Sequence, residues 1–256
     1  LAFTEPQSRF NLNDVATVAK DNGDKVIING KKSFVLNGKE ADIIIVPART
    51  SGSQTETAGI SLFVVESDLP GISKNNYKSV DGHSASEITF KNVEVNKDNL
   101  LGEIGKGYQT LESTIDDATL AVCAEATGIM KSLHDKTVEY SKNRVQFGVP
   151  IGGFQALQHR MVDTLMACEE TESILLWALT TNQDDSSSLK KAISGLKYQI
   201  GTAGKHVGQE AVQLHGGMGI SWELDIAHFF KRLSSIEILF GNADFHMKRF
   251  LTLSNN

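Results

Sequence analysis

The feature that most constrains this chain is a change of hydrophobic period near residue 105. Upstream, apolar residues fall in short β-rich runs. Downstream, they recur at three- and four-residue spacings, and Tyr108 to Ser141 is long, Ala-rich and free of Pro. A period of two belongs to strands and a period of 3.6 to helices, and one pattern does not fold as the other. A β-domain over residues 1–103 and a helical domain over residues 104–256 are therefore expected.

Within the β part, Val26-Ile27-Ile28 runs into Asn29-Gly30, and Ser33-Phe34-Val35-Leu36 into Asn37-Gly38. Both dipeptides are hairpin signals, because Asn and Gly accept positive φ. Ile43 to Val46 and Ile60 to Val65 read as further strands. Ile88-Thr89-Phe90 and Val93-Glu94-Val95 flank Lys91-Asn92, and Thr50 to Thr57 reads as an exposed loop. Short strands at this spacing predict an antiparallel β-barrel or sandwich. In the helical part, Gly148-Val149-Pro150 breaks the first helix. Phe154 to about Asn182 forms a second, and the polar turn Asp184 to Ser188 follows, with Ser188 able to cap the next helix. Leu189 to His215 forms a third, Gly216-Gly217-Met218-Gly219 ends it, and Glu223 to Leu253 supplies one or two more. Four or five helices of this length predict an antiparallel bundle.

Composition excludes several classes. With 256 residues and a 40% hydrophobic fraction, a sizeable core can form. A net charge of −6 argues against a nucleic-acid binder, which would show a basic face. No apolar run approaches the roughly 18 residues of a membrane span. Leu1-Ala2-Phe3-Thr4-Glu5-Pro6 has no basic stretch and no Met, so no signal peptide is expected, and the sequence reads as starting partway through a longer protein. Cys123 and Cys168 sit in apolar helical patterns, as buried thiols of a reducing, cytoplasmic compartment would. The seven histidines form no HxH or HxxxH pair, so no metal site is expected. There is no GxSxG elbow for hydrolase chemistry.

Three segments carry chemistry or an ordinary structural role. Arg144-Val145-Gln146-Phe147-Gly148 with Phe154-Gln155 sets a cation, aromatic rings and an amide around a helix break, able to meet phosphates and a ring. Taken alone, the same residues read more simply as surface charge (Arg144), core (Phe147) and solvated amide (Gln155). Gln213-Leu214-His215-Gly216-Gly217-Met218-Gly219 lets a ligand approach backbone, or simply caps a helix. It is not a P-loop, since no strand precedes it and no Lys-Ser/Thr follows. Thr4-Glu5-Pro6 can hold a polar ring edge, or is an ordinary turn. Asp116 and Asp117 are adjacent on a helix, where neighbours diverge by about 100°, so they are not expected to share a site.

In their order and spacing these segments resemble the acyl-CoA dehydrogenase family over essentially the whole chain. Thr4-Glu5-Pro6, Asn29-Gly30-Lys31-Lys32, Gly71-Ile72-Ser73, Val93 to Glu103, Gly105-Lys106-Gly107-Tyr108, Arg144-xx-Phe147-Gly148, Phe154-Gln155 and Gln213-xx-Gly216-Gly217-Met218-Gly219 carry the resemblance. Glu5 to Arg9, Val80-Asp81-Gly82 and Leu239 to Asp244 are similar to the subgroup formed by the small subunits of pimeloyl-CoA dehydrogenases. The resemblance implies the family's middle β-domain and C-terminal four-helix bundle, with the family's N-terminal helical domain absent from this chain. It implies FAD, with Phe3, Thr4 and Phe34 near the isoalloxazine. Arg144, Phe147 and Gln155 would hold the adenine-diphosphate half, usually across a subunit interface. Gln213, Gly216 and Gly217 would meet that half from the partner chain, in a dimer or tetramer. The implied reaction is α,β-desaturation of an acyl-CoA in fatty acid β-oxidation, with an electron-transfer flavoprotein as acceptor and Asp116 contacting the acyl-CoA.

Two departures bear on that activity. The family's usual base is a Glu before Gly-Thr, and the matching place is Phe240-Gly241-Asn242. Some members carry the base two residues after the Asp on the long helix, and that place is Ala118, followed by Thr119 where Arg is common. Gln7-Ser8-Arg9-Phe10 also replaces a Gly-rich stretch. Three readings stand: the base-lacking partner of a heteromeric dehydrogenase, a self-sufficient enzyme using Asp117 or Asp244, or a non-enzymatic scaffold or binding subunit.

Overall fold

The first hairpin turn is Gly23-Asp24, not Asn29-Gly30. It joins β1 (Val18–Asn22) to β2 (Lys25–Leu36) with Asn22 facing Lys25. Gly23 has φ 68°, at the turn position that favours glycine in two-residue hairpins. The structure is a computed structural model that describes residues 1–182 and 185–255. In it Asn29-Gly30 lies inside β2. A side chain at position 30 would come within 2.3 Å of Thr17 Oγ1, so glycine is needed there for close approach rather than for a turn. The register with β6 (Ser84–Asn96) shifts at this point. The backbone N–H of Asn92, at φ 51°, donates to Asn29 Oδ1 at 2.8 Å. The two runs on either side of Lys91-Asn92 are therefore one bulged strand. Asn37-Gly38 does form a turn, with Asn37 at φ 57°. It leads away from β2, however, because β3 (Ile43–Arg49) pairs with β1 and with β4 (Ile60–Glu66).

With β5 (Ile72–Lys78) and β7 (Leu100–Leu101), these strands form a seven-stranded sheet in the order β5-β6-β2-β1-β3-β4-β7. It is antiparallel except between β1 and β3. Alternate residues of β2 and β6, among them Val26, Ile28, Ile88 and Phe90, turn into one core with Ile44, Val46, Phe63 and Val65. Arg49 organises the exposed 50–57 loop by donating to the carbonyls of Asn13, Gln54, Glu56 and Ala58.

One buried ion pair ties the N-terminal segment to this sheet. Lys32 Nζ lies 2.7 Å from Glu5 Oε1, with side chains 0% and 1% exposed. The carboxylate also accepts from the backbone N–H groups of Ala16 and Thr17 and from Gln7 Nε2. Burial alone would raise the Glu5 pKa, but the Lys32 ammonium and these donors hold it below the usual carboxylate range. Exposed pairs such as Lys25–Glu94 contribute at most about 1 kcal/mol.

The chain divides into two compact units, Leu1–Ile115 and Asp116–Asn256. Helix α1 (Gly107–Asn143) extends the expected span at both ends. A short hairpin, β8 (Val145–Gln146) and β9 (Val149–Pro150), separates it from α2 (Gln155–Thr180). Helix α3 (Ser186–His215) starts earlier than its hydrophobic pattern. Its N-cap is Asp185, whose side chain accepts from the Ser188 N–H, so Ser188 is capped rather than capping. Asp184 lies outside the described residues. Helices α4 (Asp225–Ile238) and α5 (Ala243–Ser254) complete the unit.

Helix α3 is the centre of this unit. Ala192, Leu196, Ile200, Ala203, Val207 and Ala211 form its core stripe. Its glycines let neighbours approach: a side chain at Gly208 would meet Phe230 of α4 at 2.9 Å, and one at Gly201 would meet Ala243 of α5 at 2.9 Å. Trp177 lies in the last turn of α2, and Trp222 is held outside the core against Lys231 Nζ, 4.2 Å from the ring centre. Cys123 and Cys168 are both buried, and burial pushes their thiols up to about 12 and about 11. Among the described residues no helix is long and apolar enough to cross a membrane.

The Glu5–Lys32 pair yields a direct expectation. Lys32→Met leaves a buried carboxylate without its cation and should destabilise the β unit by about 3–5 kcal/mol in urea denaturation. Adding Glu5→Gln to Lys32→Met should recover part of that loss. A Lys32→Met penalty within about 1 kcal/mol of zero would mean that the pair is not structural.

Candidate functional site

Six described non-glycine residues have positive φ, and three are phenylalanines: Phe34 at 48°, Phe147 at 55° and Phe240 at 60°. A bulky side chain in this conformation costs about 1–2 kcal/mol and persists only where its surroundings over-determine it. Each of the three marks one of the surfaces that the sequence singles out.

In the β unit, Phe34 sits in a bulge of β2, where Ser33 and Phe34 together oppose Glu87. Its N–H donates to Glu87 Oε1 at 3.2 Å, and Tyr77 Oη donates to the same oxygen at 3.0 Å. The Phe34 and Tyr77 rings lie 6.4 Å apart. Burial works against Glu87 ionisation, but the bonds from Ser33, Phe34 and Tyr77 hold its pKa below the usual range. Burial and that carboxylate push Tyr77 up to about 12. The Ser33 N–H donates to Thr4 O at 2.8 Å, so Thr4 runs alongside the bulge. Phe3 is half-buried beside it in sequence.

In the helical unit, the β8–β9 hairpin presents Phe147, 92% exposed. Phe147 and Gly148, at φ 55° and 82°, are the two central turn residues, the geometry of a type I′ hairpin. The Ile151 N–H closes the hairpin onto Arg144 O at 2.8 Å. Beside it lies a groove of about 410 Å³ lined by Tyr140, Arg144, Gln146 and Gln213 to Met218. Arg144, Gln213, Gly216 and Gly217 thus share one surface of one chain. Phe147 at the hairpin tip and exposed Gln155 at the start of α2 do not line this groove. The glycines divide their labour. Gly216, at φ 60°, ends α3, and its N–H donates to Gln213 O. Gly219 is packed against Val212 O, where a side chain would come within 2.5 Å. Nothing lies within 4 Å of a side chain built on Gly216 or Gly217, so their backbone is open to a ligand. His215 stacks on Tyr140 beneath the groove, with ring centres 4.3 Å apart.

The third surface is the corner between α4 and α5, where Phe240 is half-buried and Gly241 has φ 114°. Lys197 of α3, fully buried, donates from Nζ to Glu237 O at 2.9 Å and to Gly241 O at 2.6 Å. His246 Nε2 faces Phe240 O at 3.0 Å and is therefore the protonated nitrogen; its buried Nδ1 has no partner. Burial, opposed by the Phe240 bond and aided by the charges of Lys197 and Arg249, pushes His246 down to about 3. Burial pushes Lys197 down to about 8.

Asp116, buried on α1, is gripped by both Arg249 guanidinium nitrogens, the Nη2 to Oδ2 distance being 2.8 Å. Asp117 is exposed, as the divergence of helix neighbours predicts. Ala118 lies about 200° around the helix from Asp116 and is half-buried.

Residues 1–93 match the family model for the acyl-CoA dehydrogenase middle domain, and residues 105–251 match the acyl-CoA dehydrogenase C-terminal domain. The chain belongs to the acyl-CoA dehydrogenase family. Among relatives, it is 32% identical over 246 residues to a 3-(aryl)acrylate reductase of Clostridium sporogenes, covering 95% of this chain and 65% of that one. It is 30% identical over 233 residues to the CarC subunit of the caffeyl-CoA reductase–Etf complex of Acetobacterium woodii, covering 90% and 61%. The crystal structure of an acyl-CoA dehydrogenase from Geobacillus kaustophilus superposes with a TM-score of 0.93 at 29% identity, covering 100% of this chain and 68% of that one. The chain spans under two thirds of the length of those two relatives.

Within this acyl-CoA dehydrogenase frame, several residues escaped the sequence reading. Tyr140 lines the groove, Lys197 and His246 hold the α4–α5 corner, and Arg249 grips Asp116. A lysine inside a helix gives no sign that its partners are carbonyls. His246 does carry one signal, lying six residues beyond Phe240 on the next helix.

The His246 shift fixes a pH dependence. The unfolded chain takes up a proton near pH 6.5, whereas the folded chain resists until about pH 3. Stability should therefore fall by a few kcal/mol as the pH drops from 6.5 towards 3. His246→Gln should remove this component when urea denaturation is compared at pH 7 and pH 4. An unchanged pH slope in that variant would exclude His246 as its source.

Proposed function

We propose that this chain is an FAD-binding subunit of an acyl-CoA dehydrogenase-type oxidoreductase, and the base-lacking partner in a heteromeric enzyme. The observation that carries this reading is the α4–α5 corner. The backbone at Phe240 is held in a strained conformation by buried donors, while its side chain cannot accept a proton. Abstracting a weakly acidic α-proton needs a desolvated carboxylate. Asp117 and Asp244, the alternatives for a self-sufficient enzyme, are both exposed, which does not favour that reading. A sister subunit carrying its own base would complete the enzyme.

The groove residues fit the diphosphate half of FAD: an Arg cation, two amides and an open diglycine backbone. When bound, FAD supplies the hydride acceptor for α,β-desaturation. Arg144 would neutralise the diphosphate, Gln213 would bond to it, and Gly216 and Gly217 would let it approach. Phe147, presented by its hairpin, and Gln155 would cover the adenine half across a dimer interface. Phe3, Thr4 and Phe34 would lie against the ring from the β unit. Asp116 would meet the acyl-CoA through the Arg249 pair rather than as a free carboxylate. The small-subunit resemblance supports pimeloyl-CoA or another dicarboxyl-CoA as substrate. The Etf-associated relative supports an electron-transfer flavoprotein as acceptor.

Two experiments test this. Gly217→Val should fill the groove and lower FAD retention at least tenfold, read from the visible flavin spectrum, with circular dichroism unchanged. Full FAD retention would remove the groove from the flavin site. Anaerobic addition of pimeloyl-CoA should not bleach the flavin of the wild-type chain alone and should bleach that of Phe240→Glu. Bleaching by the wild-type chain alone would overturn the heteromer reading.

A further inference from the structure

The α4–α5 corner is more elaborately held than a helix turn requires. Lys197, from the middle of α3, reaches two carbonyls at the end of α4 and beyond it, Glu237 O and Gly241 O. His246, from α5, takes the carbonyl between them, Phe240 O. Glu237 Oε1 accepts from the Ala243 N–H at 3.3 Å, and Asn242 Oδ1 accepts from the Phe245 N–H at 3.0 Å. Three helices thus converge on four residues.

Two features argue that this convergence serves the side chain at position 240 rather than general stability. Lys197 is a fully buried ammonium whose bonds here are to carbonyls. A buried charge is costly, and an apolar side chain of similar size would pack the core better. Gly241 is also shaped to the histidine: a side chain there would stand 2.7 Å from His246 Nε2 and 2.5 Å from the Phe245 ring. The bond from His246 to Phe240 O and the glycine at 241 therefore depend on each other.

We infer that Lys197 and His246 are positioning residues that aim the side chain at position 240. They fix the backbone of Phe240 and Gly241 by its carbonyls, so the direction of side chain 240 does not depend on which residue stands there. The mount for a base is retained, and the aromatic ring of Phe240 occupies it. The statement about a base rests on the function proposed above; the statement about the backbone does not.

The test uses the full FAD-loaded chain and a pair of histidine substitutions. In His246→Gln, the amide nitrogen falls near the place of Nε2 and can still donate to Phe240 O. In His246→Asn it falls near Nδ1 and cannot. Amide hydrogen exchange over residues 239–245 should be at wild-type rates in His246→Gln and at least tenfold faster in His246→Asn and Lys197→Met, with α3 elsewhere unchanged. Equal exchange in the Gln and Asn variants would overturn the inference, since ring packing rather than the donor would then matter. Should Lys197→Met not fold, the histidine pair decides alone.

The base is read separately by incubating Phe240→Glu anaerobically with pimeloyl-CoA in D2O. With acyl-CoA in large excess over the flavin it can reduce, the introduced carboxylate takes the α-proton and returns a deuteron from solvent, and this exchange of C–H for C–D itself transfers no electrons. Deuterium incorporation, measured by mass spectrometry, should persist when His246→Gln is added and fall at least tenfold when His246→Asn is added. If Phe240→Glu incorporates no deuterium while the backbone exchange pattern holds, the acyl-CoA reading fails and the positioning role stands. Equal incorporation in the Gln and Asn double variants would overturn the positioning role.

Discussion

The Glu5 carboxylate is the constraint on which the β unit depends. It joins the N-terminal segment, the approach to the first strand and the second strand in one buried cluster. A charge with no access to water must be matched, and Lys32 together with two backbone N–H groups matches it. Directly after Lys32 the next two residues leave the regular ladder, and Phe34 stands exposed in the bulge. The ion pair anchors β2 immediately before the bulge that presents Phe34.

The same logic recurs in the helical unit, with carbonyls in place of a carboxylate. A type I′ turn raises Phe147 into solvent, and a buried lysine and histidine hold Phe240 at its corner. In each case an unfavourable backbone conformation is confined to one aromatic residue and surrounded by ordinary secondary structure. Strain of this kind is concentrated where side-chain direction matters. It gives the three surfaces a common physical origin that does not depend on the family assignment.

The helices were the most legible part of the sequence. Tyr108 to Ser141 lacks proline and keeps its spacing, and the helix runs through it. Glycine was harder to read. Asn29-Gly30 has the composition of a hairpin, but its glycine answers to the approach of Thr17, a partner thirteen residues away that no local pattern reveals. Arg144, Gln213, Gly216 and Gly217 were identifiable as a set through resemblance, and the structure brings them to one groove. Lys197 and Arg249 were invisible, because a cation in a helical pattern ordinarily means a solvated face. Burial of such a side chain is decided by tertiary neighbours.

The partition into two units also governs how this protein can be observed. Both tryptophans, Trp177 and Trp222, belong to the unit that starts at Asp116. Tryptophan emission consequently follows the melting of the helices and is blind to the sheet, where Tyr77 is the tyrosine reporter. A single smooth emission transition would not establish that the two units unfold together. The loss of the Glu5–Lys32 cluster would pass unseen unless far-ultraviolet circular dichroism or hydrogen exchange followed the strands as well.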